Sequence, residues 1–137
     1  MKKARVLFVC IGNACRSQMA EAFARKYGSD VLEAYSAGLA PGVDIPQQTR
    51  DVMMEKGISL GDQFPKPLVS LDESKFDAVV NMSGYPLDGV KPPKLREWTV
   101  RDPYGAKDAV HRQVRDEIEK LVMGLILEFR RTLPASC

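Results

Sequence analysis

Cys10-Ile11-Gly12-Asn13-Ala14-Cys15-Arg16-Ser17 sets a thiol, a guanidinium and a hydroxyl at C-x5-R-S spacing. Five intervening residues can wrap so that successive backbone N–H groups converge, and a helix starting near Ser17 adds the positive end of its dipole. Gly12 permits a backbone geometry that a larger residue resists, and Asn13 tolerates a left-handed bend. Arg16 offers a planar fork for two oxygens of a dianion. Positive surroundings favour the thiolate of Cys10, and Ser17 is placed to donate to that sulfur. The expectation is a cysteine nucleophile beneath a caged phosphate or arsenate. Ile11, Gly12, Asn13, Ala14, Cys15 and Arg16 would hold the oxyanion. Such a site needs no metal. A nucleotide-binding G-x4-G-K-[ST] loop has no match in the chain.

Asp102-Pro103 is the second chemical candidate. Proline disfavours the helical region for the residue before it, so Asp102 is held extended on a stiff loop. A carboxyl poised this way can protonate a leaving group and then help water attack. By itself Asp102 would read as a turn or capping residue, and the loop at Cys10 is what makes it catalytic. Three cysteines, Cys10, Cys15 and Cys137, are an odd number and do not resemble a secreted disulfide framework. With one histidine, His111, far away in sequence, they also make a poor zinc set. No metal is expected.

The elements that must position these groups follow from the hydrophobic pattern. Ala4 to Val9 is an apolar run that suits a strand buried on both faces. Met19, Ala20, Ala22, Phe23 and Tyr27 recur at helical spacing, with Ser17 as a candidate cap and Gly28 closing the helix. Val31 to Ser36 reads as a second strand, and Pro46 starts a short helix that ends at Gly57. Ser70-Leu71-Asp72-Glu73 has capping-box spacing, and Ala78-Val79-Val80 is a core strand. Glu97 to Val100 is expected as a fourth strand. Val110, Val114, Ile118, Leu121, Val122, Leu125 and Phe129 form one stripe of a long C-terminal helix. Strands alternating with helices predict an α/β parallel sheet in three layers, with helices on both faces. Ligands of such sheets bind beyond the carboxyl ends of the strands, where the Cys10 loop lies.

Residues 1–137 read as a single domain, with 45% hydrophobic and 28% charged residues. A formal net charge of +2 is too small to argue for nucleic acid or an acidic membrane surface. No apolar stretch reaches the roughly 20 residues of a spanning helix. The N-terminal apolar run is too short for a signal peptide. A cytoplasmic, monomeric protein is the expectation.

The motifs resemble the superfamily of low-molecular-weight protein tyrosine phosphatases and thioredoxin-coupled arsenate reductases. The likeness is carried by Val6-Leu7-Phe8-Val9-Cys10, the C-x5-R-S loop, Met19-Ala20-Glu21, Ser36-Ala37-Gly38, Glu55-Lys56-Gly57-Ile58 and Asp102-Pro103. It implies a four-stranded sheet in the order 2-1-3-4, with Cys10 as nucleophile, Arg16 as oxyanion clamp and Asp102 as general acid. Asn13 and Ser36 would support the loop. It also implies a reversible disulfide between Cys10 and Cys15. Some of the reductases hold a monovalent cation near residues matching Asn13, Glu21 and Ser36, for which ordinary loop support is the preferred reading here.

Within that superfamily the branches point different ways. Ser17-Gln18-Met19-Ala20-Glu21 is similar to the reductase version, since the phosphatases usually carry proline where Gln18 stands. The reductases use further cysteines after the third strand, whereas residues 81–89 contain no thiol. Cys15, Cys137 or an external thiol (thioredoxin, glutaredoxin or a small thiol) would then complete a reductive cycle. Hydrolysis needs only Cys10, Arg16 and Asp102, and Tyr104 is similar to the aromatic that flanks substrate in the phosphatases. Leu39 to Pro46 lacks those enzymes' usual aromatic wall. Hydrolysis of phosphomonoesters, on a phosphorylated protein or a small phosphoester, is ranked first, with arsenate reduction as the alternative. A non-catalytic phosphate-binding module would have lost the nucleophile or the acid, and neither is lost.

Overall fold

The computed structural model describes residues 2–69 and 72–132. In chain order the elements are β1 (Ala4–Cys10), α1 (Arg16–Gly28), β2 (Leu32–Gly38), α2 (Gln47–Met54), a 3-10 turn (Glu73–Lys75), β3 (Ala78–Asn81), β4 (Leu95–Glu97) and α3 (Asp108–Thr132). The four strands are parallel in the order β2-β1-β3-β4. The parallel sheet is the one expected from the sequence, in the order that the family likeness implies.

Side chains alternate across a strand, so β1 divides its residues between two cores. Ala4, Val6, Phe8 and Cys10 face the larger one, with Met19 and Phe23 of α1, Val52 and Met53 of α2, and Ile118 and Val122 of α3. Leu7 and Val9 face the smaller one, with Val79 of β3 and with Leu87 and Val90 of the irregular β3–β4 connection. The first face is therefore covered by α1, α2 and α3, and the second by Leu68, Phe76 and the irregular β3–β4 connection, so the α-helices pack on one face where the sequence led to helices on both. Trp98 packs against the larger core with its ring 5.9 Å from Phe8, as expected of a structural tryptophan.

Two local expectations change. The fourth strand lies at Leu95–Glu97 rather than Glu97–Val100, because Val79 pairs with Leu95 and the ladder ends at Asn81 and Glu97. Beyond Glu97, Trp98 still donates its N–H to Asn81 O, and the chain then turns toward the site. The second helix ends at Met54 rather than at Gly57, with Met53 fully buried and Met54 exposed. Ser70 and Leu71 of the expected capping box lie outside the described residues, as do Pro134 and Cys137.

β1 sits centrally, and its last residue, Cys10, is in register with Gly38, the last residue of β2. Met82, just past β3, donates its N–H to Val9 O. Three strand ends thus meet where α1 begins. Among the described residues no helix is long and apolar enough to cross a membrane.

Candidate active site

The loop from Cys10 to Arg16 is shaped by what its carbonyls do. Leu39 N–H donates to Cys10 O, Ala40 N–H to Ile11 O and Gly42 N–H to Gly12 O, while the Gln18 side chain donates to Asn13 O at 2.9 Å. In a trans peptide the N–H lies opposite the C=O. Committing these carbonyls outward leaves the N–H groups of Ile11, Gly12, Asn13 and Ala14 for the inside of the loop. Asn13 makes the bend with φ of 47°, the left-handed geometry that asparagine tolerates.

The bracing is dense. Gln18 Nε2 also donates to Phe64 O at 3.0 Å, and Gln63 Nε2 donates to Gln18 Oε1 at 2.7 Å. Lys66 N–H donates to Asn13 Oδ1 at 2.8 Å. The sequence reading missed Gln18 and Gln63 as loop supports. The only signal available was the choice of glutamine over proline at position 18.

Ser17 does not cap α1. The cap position falls on Cys15, with no side-chain cap bond, so the helix N-terminus stays open toward the loop. Ser17 Oγ instead lies 2.9 Å from Cys10 Sγ and accepts a 2.6 Å hydrogen bond from Asn13 Nδ2. With that acceptor role filled, the serine hydroxyl is free to donate to the sulfur. Arg16 is buried, and its Nη1 donates to Met82 O and Val100 O, carbonyls beyond the ends of β3 and β4. Its Nε has no partner. A guanidinium anchored on one side with an unpaired donor is prepared for an anion.

Asp102 reaches the same place from the loop after β4. Its Oδ2 stands 3.7 Å from Arg16 Nη2, and its Oδ1 accepts the N–H of Tyr104 at 3.0 Å. The side chain is 48% exposed, so it meets both the guanidinium and water. Cys10, Arg16, Asp102 and Tyr104 share one cleft of about 370 Å³ with Ala40, Gly42, Val43 and Asp44. That is near the small end of ligand pockets. The wall that lacks an aromatic in the sequence is formed by Val43, which stands fully exposed.

Ser36 is not in the cleft. It donates to Glu21 on α1, and Glu21 also pairs with Arg25. Neither residue is bonded to Asn13, so Ser36 ties β2 to α1 behind the loop, and the Glu21 carboxylate already has a cation. Cys15, within the loop, has its side chain buried, and burial pushes its thiol up to about 11. No group of three or more metal-ligating side chains occurs among the described residues.

A relative named arsenate reductase, from Halalkalibacterium halodurans, is 40% identical over 134 residues, 89% of this chain and 94% of that protein. A second, the glutaredoxin arsenate reductase of Synechocystis sp., is 35% identical over 92% of this chain and 97% of its own length. A solved structure described as an arsenate reductase in the phosphate binding state aligns with a TM-score of 0.81 at 30% identity. It covers 92% of this chain and 98% of that one. Residues 5–135 match the family profile described as low molecular weight phosphotyrosine protein phosphatase, and the chain belongs to that family.

Proposed function

We propose that this protein is an arsenate reductase built on the phosphatase fold, with Cys10 as its nucleophile. The sequence by itself ranked hydrolysis first, and relatives named arsenate reductase at 35% and 40% identity favour the other branch. The observation that carries the chemistry is the Cys10 Sγ to Ser17 Oγ contact at the centre of the braced loop.

In this reading the loop N–H groups and Arg16 hold arsenate, and Cys10 Sγ attacks arsenic. Asp102 supplies a proton to the departing oxygen, which leaves as water. A second thiol then attacks Cys10 Sγ, the sulfur–arsenic pair stays on arsenic, and arsenite departs. A thiol reductant of the thioredoxin, glutaredoxin or small-thiol kind restores the cysteines.

One observation favours the second reading, phosphomonoester hydrolysis. Where a resolving thiol would follow β3, Ser83 Oγ donates to Asn81 Oδ1 at 2.6 Å and Asn81 Nδ2 donates to Tyr85 O at 2.7 Å. A closed polar knot, with no thiol, occupies that turn.

The deciding experiment supplies arsenate with each class of thiol reductant and measures arsenite, beside hydrolysis of para-nitrophenyl phosphate. Multiple turnovers to arsenite are expected, falling on the order of a thousandfold or more in Cys10→Ser. Fast hydrolysis with no arsenite under any reductant would sink the reductase reading and establish the hydrolase.

A further inference from the structure

Behind the loop, three buried side chains stand in line. Thr49 Oγ1 on α2 lies 3.3 Å from Cys15 Sγ and 3.4 Å from His111 Nε2 on α3. Thr49 and His111 have no solvent exposure, and Cys15 has 3%. The far ring nitrogen, His111 Nδ1, closes no hydrogen bond of normal geometry, yet the backbone of Lys107 and Ala106 favours a proton on the ring. A neutral ring with its proton on Nδ1 presents a lone pair at Nε2. The Thr49 hydroxyl can then accept from the Cys15 thiol while donating to Nε2. Once the proton has moved, Thr49 donates to the sulfur instead.

Packing alone does not call for this line. Val52, Met53, Val114 and Ile118 already belong to the core that α2 and α3 share. A buried imidazole and hydroxyl cost desolvation that apolar side chains would not.

We propose that Thr49 and His111 are positioning residues that take the proton from Cys15 as its sulfur attacks Cys10 Sγ, and so set how fast the loop closes a Cys10–Cys15 disulfide. The proposal rests on the reading above, in which Cys10 carries the electrophile. When Cys10 carries arsenic, the new sulfur–sulfur bond breaks the sulfur–arsenic bond. Arsenic(V) takes that electron pair and leaves as arsenite, and the two cysteines lose two electrons. When hydrogen peroxide has oxidised Cys10 to a sulfenic acid, the same attack expels hydroxide, which takes a proton from solvent in the cleft and departs as water. In either case the Cys15 proton passes through Thr49 Oγ1 to His111 Nε2. A dithiol, or two equivalents of a small thiol, reopens the disulfide.

The surroundings suit this task. Burial pushes Cys15 up to about 11, with the Thr49 hydrogen bond opposing, so at neutral pH the sulfur is a thiol that needs a base beside it. Burial also pulls His111 below its ordinary 6.5, which keeps the ring neutral and able to accept. Asp108 from the first turn of α3 and Asp102 from the loop after β4 both favour the imidazolium once formed. Arg115, one turn along α3, is committed to Glu55, Asp116 and Val52 O.

The test loads Cys10 with stoichiometric hydrogen peroxide, traps open thiols by alkylation, and counts Cys10–Cys15 disulfide by mass spectrometry from mildly acid to mildly alkaline pH. His111→Phe and Thr49→Val should slow closure by about tenfold or more at neutral pH. His111→Gln, which keeps a polar group but no titration, should lose the acid inflection of the wild-type profile. Thr49→Ser should restore the rate. Closure as fast as wild type, with the same pH profile, in folded His111→Gln and Thr49→Val would overturn the proposal. So would a wild-type protein that never forms the disulfide. Because peroxide rather than arsenate loads Cys10, slowed closure in the variants supports the relay whether or not the protein reduces arsenate.

Discussion

A single methyl group at Gly38 would collide with the loop from Cys10 to Arg16. A Cβ there would stand 2.8 Å from both Asn13 N and Ile11 O, backbone atoms that cannot rotate away. Gly38 therefore lets the end of β2 lie against the loop that Leu39, Ala40 and Gly42 hold outward. Gly38→Ala should destabilise the fold by about 1–3 kcal/mol and depress turnover together, read as a lower melting temperature and a lower kcat. A variant with full stability and full activity would mean the loop has slack that its hydrogen bonds do not suggest. Ser17 makes the complementary point. Its hydroxyl is spent on Cys10 and Asn13 rather than on the helix end, so the open N-terminus of α1 remains available to an anion.

Between elements, the α2–α3 contact is held by charge as well as by apolar packing. Glu55, just past α2, accepts hydrogen bonds from Arg112 and Arg115 of α3, which lower its carboxyl from 4.5 to about 2. A carboxylate with a depressed folded value stabilises the protein fully above its unfolded value. That stabilisation is lost as pH falls through the folded one. The contribution of Glu55 should thus hold above about 4.5 and fade toward about 2. Glu55→Gln should lower the melting temperature near neutrality and leave less further loss on acidification across that window. Parallel acid limbs for the two proteins would show that the pair adds nothing to stability. Since α2 carries Thr49 and α3 carries His111, this clamp also keeps the line behind Cys15 in register.

For the whole molecule, stability and chemistry sit in different layers. Phe23 is fully buried and stacks 6.0 Å from Tyr27 within the larger core, on the helical side of the sheet. Phe23→Ala should cost about 3–5 kcal/mol, a large share of the 5–15 kcal/mol typical of a domain. At a temperature where the variant is still folded, KM should stay near the wild-type value. Denaturant unfolding beside steady-state kinetics would separate the two effects. A large rise in KM would show instead that the core is coupled to the cleft through α1.

Much of the chemistry was legible in the chain because it is local. C-x5-R-S between an apolar strand and an amphipathic helix is contiguous, and Asp102-Pro103 constrains its own backbone. The alternation of strands and helices likewise determined the class of fold, while the sheet order came from the family likeness. What the chain could not specify are pairings across long separations. The place of β4 depends on Leu95 meeting Val79, not on the run of residues around Trp98. Ser36 could not be assigned to Glu21, nor Gln63 to Gln18, without knowing which helix crosses which strand. His111 read as a lone histidine because Cys15 and Thr49 are 96 and 62 positions away in sequence. Local patterns reflect forces between near neighbours, which the order of residues records directly. Only the packed sheet and helices brought those distant polar groups within hydrogen-bonding reach.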